Sequence, residues 1–442
     1  MNENTRSVQD RTKYRPAGVR LSLSWLVNAP AASRRALLAA SLGWMLDSFD
    51  VMLYSLVLAS LIADLHLSKS SAGILGSVTL LAAAAGGLVF GVIADRFGRT
   101  RALMASVLIY AVFTAACGLA QNFVELAVFR VLLGLGMGGE WASGASLVAE
   151  SFPDDDRGKA LGLMQSAWAV GYALAALVVA FLMPLVGWRG VFFAGLAPAL
   201  ITLWIRRSVG EPEAWKDSHA QPGDGPQPAS GFASLFRGPL LSKTITLTLM
   251  NACCLFAYWG FNLWVPAYLS LPVSKGGVGL AAHAMTAIVV FMQVGMWIGY
   301  VTFGFVADAF GRKRTYVVYL LSAAALLLAF GAARNPILIF CLAPLVAFTA
   351  TGYFAGFAAV TAEVYETRIR STAQGFTYNT GRIASAVAPF AVGSLADKHG
   401  FGAAFLASSV AFLLAAAMWF FIPETLKTVL PDGPATRGAV TS

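Results

Sequence analysis

The chain has 442 residues, of which 58% are hydrophobic and 12% charged, with a mean hydropathy of +0.70 and a formal net charge of +9. Soluble globular domains carry about 25% charged residues. The composition therefore excludes a soluble enzyme or a nucleic-acid-binding domain and indicates a polytopic membrane protein. The basic residues fall in short gaps between apolar runs, where they read as topology signals toward an anionic leaflet, with the lipid bilayer and no nucleic acid as partner.

Residues 1–35 are polar and basic, with no short apolar segment or small-residue cleavage site, so they read as a cytoplasmic tail and not a cleaved leader. A spanning helix needs about 20 mostly apolar residues. Twelve segments qualify: 36–62, 71–94, 102–120, 125–149, 159–184, 188–205, 243–270, 284–308, 315–333, 336–362, 371–396 and 402–422. Alternate gaps are basic, through Arg96, Arg99 and Arg101, then Arg157 and Lys159, then Arg206 and Arg207, then Arg312, Lys313 and Arg314, then Arg368 and Arg370. The other gaps hold little beyond Lys69, Arg189, Lys275, Arg334 and Lys398. The positive-inside rule then places both termini in the cytoplasm of a multi-pass cell-membrane protein. Residues 208–242, rich in Pro, Gly and Ser around 221–231, read as a flexible cytoplasmic linker. It separates bundles at 36–207 and 243–422, and 423–442 form a second cytoplasmic tail. The expected fold is an all-α membrane protein, twelve transmembrane helices in two six-helix pseudo-symmetric bundles.

An internal repeat supports that division. "GVIADRFGR" at 91–99 recurs as "GFVADAFGR" at 304–312, and the pattern of "ESFPDDDRGKALG" at 150–162 recurs in "EVYETRIRSTAQG" at 363–375, both at an offset of 213 residues. Parallel repeats of this kind suit two bundles that rock about a central cavity. Cys117, Cys253, Cys254 and Cys341 lie in apolar stretches without metal-ligand spacing, so no metal or other cofactor is expected.

The stretch Gly91–x3–Asp95-Arg96–x–Gly98-Arg99 resembles the loop signature of the major facilitator superfamily, and the resemblance extends over essentially the whole chain. "LDSFDVMLYSLVL" in the first span, "RVLLGLGMGGEWASGASLVAESFP" in the fourth, "WRGVFFAGLAPALITLWIRRSVGEPEAW" in the sixth and beyond, and "GFTYNTGRIASAVAPF" in the eleventh are most similar to the sialate:proton symporter family, which includes lactate and monocarboxylate permeases. The paired aspartates also resemble those of aromatic-acid:proton symporters. The resemblance implies proton-coupled uptake of an organic anion. The second loop copy departs from the pattern, with Ala309 where the first has Arg96, so the two loops are not equivalent.

Charges inside the apolar runs carry the chemistry. At 100° per residue, Trp44, Asp47, Asp50 and Tyr54 share one face of the first span. An ionised carboxylate at a membrane-helix centre costs about 2.5–3.5 kcal/mol. A desolvated one that takes up a proton avoids most of that cost. The pair is therefore expected to be the proton site, Asp47 ahead of Asp50, although an aspartate that only fixes packing is the alternative. Glu140, near the middle of the fourth span, is a further candidate. Arg130, ten residues earlier and about 80° away around the helix, is read as reaching an aspartate or the substrate carboxylate, or as a link to a neighbouring helix. Arg382, deep in the eleventh span with Tyr378, Asn379 and Ser385 around it, is read as the anion anchor, since a guanidinium grips a carboxylate with two parallel hydrogen bonds. A salt bridge internal to the bundle is its alternative.

Three polar and aromatic stripes are candidates for the rest of the lining: Gln165, Trp168 and Tyr172; Asn251, Tyr258 and Asn262; and Gln293, Trp297 and Tyr300. Packing or interface anchoring is the plainer reading of their aromatics. At the basic ends, Asp95, Arg96, Arg99, Glu150 and Arg157, with Asp308, Arg312, Glu363 and Arg370 in the second half, are read as a cytoplasmic gate. Capping and orientation alone is the plainer reading. The expectation is thus a monomeric proton-coupled importer of a small organic anion, with mono- or dicarboxylates, sugar acids and aromatic acids as substrate classes. A proton-driven exporter of amphipathic compounds and a non-transporting nutrient sensor are the alternatives, and an enzyme is not expected.

Overall fold

The computed structural model describes residues 24–197, 199–200, 204, 210–211, 234–365 and 367–425. Most of both expected tails, the middle of the expected linker, and Arg206 and Arg207 lie outside these residues. A turn of helix at Ser24–Val27 precedes α1 (Ala31–Asp64), which is followed by α2 (Lys69–Phe97), α3 (Arg99–Cys117), α4 (Phe123–Ser151) and α5 (Asp154–Phe193). The second half holds α6 (Gly238–Asn262), α7 (Val265–Ser270), α8 (Ala282–Phe310), α9 (Arg312–Ala332), α10 (Pro336–Thr351), α11 (Phe357–Val364), α12 (Thr367–Ser385) and α13 (Ala388–Met418). The first span thus begins at Ala31 and the seventh at Gly238, about one turn before the apolar runs do.

Among the described residues nine helices are long and apolar enough to cross a membrane. Two of these are double. Gly187 (φ 67°) breaks α5 and Gly400 (φ 79°) breaks α13, each in a backbone conformation that favours glycine. The remaining span is α4, which carries buried Arg130 and Glu140, so the described residues account for twelve spans. The breaks lie 213 residues apart, as do the positive-φ glycines Gly98 and Gly311 that open α3 and α9, so the sequence repeat is a repeat of backbone geometry. Local chemistry fixes several starts. Ser68 caps α2 by accepting from the Ser71 N–H, and Asn122 caps α4 while Glu125 reaches back to the Gln121 N–H.

Within the first half, α1 packs on α5 and α4, and α4 on α2 and α3; within the second, α6 packs on α12 and α13, α8 on α10, and α9 on α13 and α10. A Cβ on Gly138 would overlap the Ala83 carbonyl of α2, and one on Gly136 would come within 2.7 Å of the Tyr110 backbone nitrogen of α3. The glycines of α4 therefore set close helix approach, which in lipid replaces the hydrophobic driving force between helices. The halves meet along two seams, α2 against α13 and α5 against α8, with α7 resting on α1. Outward surfaces carry exposed Leu88, Val92, Phe181, Leu185 and Leu345, as a lipid-facing exterior requires.

Candidate functional site

A cavity of about 30 Å³ lies between the halves, room for about two waters. Seven of its lining residues are aromatic: Trp44, Trp168, Tyr258, Trp259, Tyr300, Phe354 and Tyr378. Trp44 and Trp168 stand 4.7 Å apart by ring centroids, Trp168 and Trp259 6.1 Å, Tyr258 and Trp259 5.4 Å, and Tyr258 and Phe354 5.3 Å, the last three edge to face. Gln165, Met137, Leu255 and Arg382 complete the wall.

Arg382 sits in the last turn of α12 and is 4% exposed. Its guanidinium has no hydrogen-bonded or ion-paired partner among the described residues. Asp47 and Glu140 are fully buried, neither carboxylate accepts a hydrogen bond, and both lie within Coulombic reach of Arg382 and of each other. Gly43 makes room for Glu140, because a Cβ there would stand 2.5 Å from Oε1. An ionised carboxylate without donors is costly unless a cation or a proton neutralises it. The cation on the cavity wall thus lies within electrostatic reach of two unsatisfied acids buried behind it.

The other expected site residues divide by position. Asp50 accepts from the Thr114 hydroxyl at 3.1 Å, and its second oxygen packs toward Gly195, so it faces α3 and the start of the sixth span, not the cavity wall. Tyr54 donates to the Ala72 carbonyl at 2.7 Å, and the Arg130 guanidinium lies 3.9 Å above its ring. Arg130 also donates to Thr79 Oγ1 at 2.8 Å, which makes it an internal link between α1, α2 and α4, with no bond to an aspartate among the described residues. Gln165 and Trp168 line the cavity, whereas Tyr172 donates to the Asn262 carbonyl across the halves at 3.3 Å. Tyr258 lines it; Asn251 packs against Gly381, and Asn262 bonds back to the Tyr258 carbonyl at 3.2 Å. Gln293 is buried with both amide atoms unpartnered. Trp297, expected on the face of Gln293 and Tyr300, is 43% exposed on the outer surface. It lies some 40–60° around the helix from those two, enough to cross the edge of a buried stripe. Tyr378 lines the cavity, but its neighbour Asn379 donates to the Gly375 carbonyl and faces Gly87 of α2. Trp259 and Phe354 are lining residues that the stripes did not include. Tyr110, whose hydroxyl donates to the Gly43 carbonyl at 3.4 Å among the three membrane carboxylates, was also missed.

The Major Facilitator Superfamily profile matches residues 40–300 and 269–442. The chain belongs to the major facilitator superfamily. This facilitator is 33% identical to the cis,cis-muconate transport protein of Acinetobacter baylyi over 86% of its own length and 91% of the relative's. It is 32% identical to the sialic acid transporter of Escherichia coli over 91% and 98%. Its fold is similar to that of the D-xylose–proton symporter at a TM-score of 0.71 and 21% identity, covering 88% of this chain and 98% of that one, a likeness of fold alone. The chain is a multi-pass membrane transporter and not an enzyme.

On the facilitator's basic face the expected gate charges form, among the described residues, one ion pair in the first half and two in the second. Arg99 binds Glu150 through Nη2 at 2.9 Å and Nε at 3.1 Å, and Arg312 binds Glu363 at 3.3 Å and Asp308 at 2.8 Å. Both clusters join helices of the same half. Glu211 accepts from the N–H groups of Thr100 and Arg101, and Glu424 from those of Arg312 and Lys313, 213 residues apart. Arg157 donates to the Ala149 carbonyl and Arg96 is exposed. The side chains of Asp95 and Arg370 lie outside the described set.

Proposed function

We propose that this chain is a proton-coupled symporter that imports a small organic anion by alternating access. The observation that carries the reading is Arg382, a buried guanidinium without a bonded partner, facing an aromatic cavity and shared electrostatically with Asp47 and Glu140. A substrate carboxylate that took the guanidinium in a two-pronged grip would compete with the two acids for its charge. Deprived of that charge, the acids bind protons, so anion binding and protonation favour each other, as linkage requires. The basic face is then cytoplasmic, both termini lie there, and the two halves are the rocking domains of a monomer.

The lining also supports a substrate class. Seven aromatic rings offer faces and edges to a flat, unsaturated acid, and six of them also carry an indole N–H or phenol O–H that, with Gln165 and Arg382, can bond a substrate's polar atoms. A planar carboxylate of the benzoate, nicotinate or muconate kind therefore suits the cavity. At about 30 Å³ the cavity is too small for such a molecule, so its entry requires the halves to part.

Proteoliposomes supply the test. With an acid exterior, the protein should accumulate labelled benzoate, nicotinate or muconate while the lumen acidifies, and N-acetylneuraminate added as competitor reports whether the site also admits a sugar acid. Uptake indifferent to the pH difference would refute proton coupling. Expulsion of neutral amphipaths would favour the exporter, and binding without counterflow the sensor.

A further inference from the structure

On the face opposite the basic loops, taken here as the outer face, α2 and α13 are joined by bonds that no expectation anticipated. The Asp397 carboxylate of the second half accepts from the Ser70 N–H at 2.8 Å and the Lys69 N–H at 3.3 Å. The Lys69 ammonium lies 3.8 Å from Asp397 Oδ1 and donates to the Ala396 carbonyl at 3.1 Å. Ser70 and Ser394 hydroxyls pair at 3.0 Å. Asp397 thus acts as a helix cap lent by one half to the first turn of a helix in the other, while Lys69 tops the end of the eleventh span. An acidic group at a helix N-terminus satisfies otherwise orphaned N–H groups and complements the helix dipole, and such charge-assisted bonds are about twice as strong as neutral ones.

Among the described residues the second seam has no such device. The residues 213 positions from Lys69 and Ser70 are Ala282 and His283, and the counterpart of Asp397 is Pro184. Pro184 carries no side-chain acceptor and Ala282 no donor. The two halves are repeats in backbone, but among the described residues a charged fastening of their outer ends occurs at one seam only. Deeper in, Ser55 donates to the Leu263 carbonyl at 2.6 Å and Tyr172 to the Asn262 carbonyl, both at the break between α6 and α7. These are neutral bonds to backbone freed by that break.

We propose that Lys69 and Asp397 form a one-sided outer latch that holds the closed state and must release before the cavity opens to the outside. When the halves separate, Ser68 still caps α2 from within its own half, so releasing the latch exposes two N–H groups to water without unravelling the helix. The latch sets the balance of closed and outward-open forms while leaving the binding residues untouched.

The test measures that balance directly. Spin labels are placed at Leu119→Cys and Val273→Cys, exposed loop positions of opposite halves on the outer face, in a background with Cys117, Cys253, Cys254 and Cys341 replaced by alanine. Distance distributions are then recorded in nanodiscs without ligand. Asp397→Ala should raise the ratio of long to short distances by about tenfold, and Asp397→Asn, which keeps a neutral acceptor, by about threefold. Ser394→Ala, which removes one neutral hydroxyl, should change it by less than about twofold. Ratios at the wild-type value in both Asp397 variants overturn the latch. So does a Ser394→Ala shift as large as that of Asp397→Ala, which would mean general loosening of the seam. If Asp397→Ala does not purify as a single species, the Asn variant decides alone.

Discussion

Replacing Arg382 with alanine should abolish anion binding, and the size of the loss follows from its surroundings. The guanidinium is 4% exposed and has no bonded partner among the described residues, so a substrate carboxylate would be its first direct ligand in a water-poor site. Removing one member of a buried ion pair costs about 3–5 kcal/mol, which raises Kd about 100- to 5,000-fold. Arg382→Lys keeps a charge but not the planar fork and should lose about 10- to 50-fold. Thermal melting of detergent-purified protein with benzoate, nicotinate and cis,cis-muconate as probes reads this out. A probe at 100 times Kd stabilises the native state by about 2.7 kcal/mol. At the same concentration, a 1,000-fold weaker variant retains less than about 0.1 kcal/mol, a melting shift near zero. A ligand-induced shift in Arg382→Ala equal to that of the unmodified protein would refute the anchor and, with it, the competition for charge.

Asp47→Asn and Glu140→Gln should each abolish accumulation driven by a pH gradient while leaving counterflow measurable in the same vesicles; full accumulation in the double variant would contradict proton storage there. Asp50→Asn should have a smaller effect on coupling, because that carboxylate bonds Thr114, whereas Arg382 acts on Asp47 and Glu140. It should instead lower the melting temperature, at a cost of about 1–2 kcal/mol for the altered buried bond. Trp168→Ala should weaken binding of planar acids about tenfold, seen in the same melting assay, since it removes a ring that touches both Trp44 and Trp259. Gly138→Ala should destabilise the first half by about 1–3 kcal/mol, because the added methyl meets the rigid Ala83 backbone and not a movable side chain; an unchanged melting temperature would show that α2 can retreat.

Hydropathy and the 213-residue repeat made the architecture legible, because lipid leaves a chain few ways to satisfy its backbone. They also pointed to Asp47, Glu140 and Arg382, since charges in apolar runs are too costly to be incidental. Helical wheels did less well at the cavity wall. Phe354 lies in a 3-10 segment, Gly352–Gly356, where 100° spacing fails, and Trp259 precedes the break between α6 and α7. Trp297 was assigned inward because a wheel does not say how wide the buried stripe is. Asp50 and Tyr54 share a face with Asp47, yet α1 is surrounded on most sides, so one face meets different neighbours at different depths. Lys69 appeared only as a sparse loop charge, and its link to Asp397, more than 300 residues away in sequence, has no local signature.

The three indole rings of Trp44, Trp168 and Trp259 form a connected patch at the centre of the molecule. Their emission depends on how wet and how crowded that patch is, so any solute entering must disturb it. With the remaining eight of the eleven tryptophans changed to phenylalanine, the protein would become its own optical gauge of occupancy. Compounds of any colourless kind could then be screened without labels, and the time course of the signal would report how fast the closed chamber admits them.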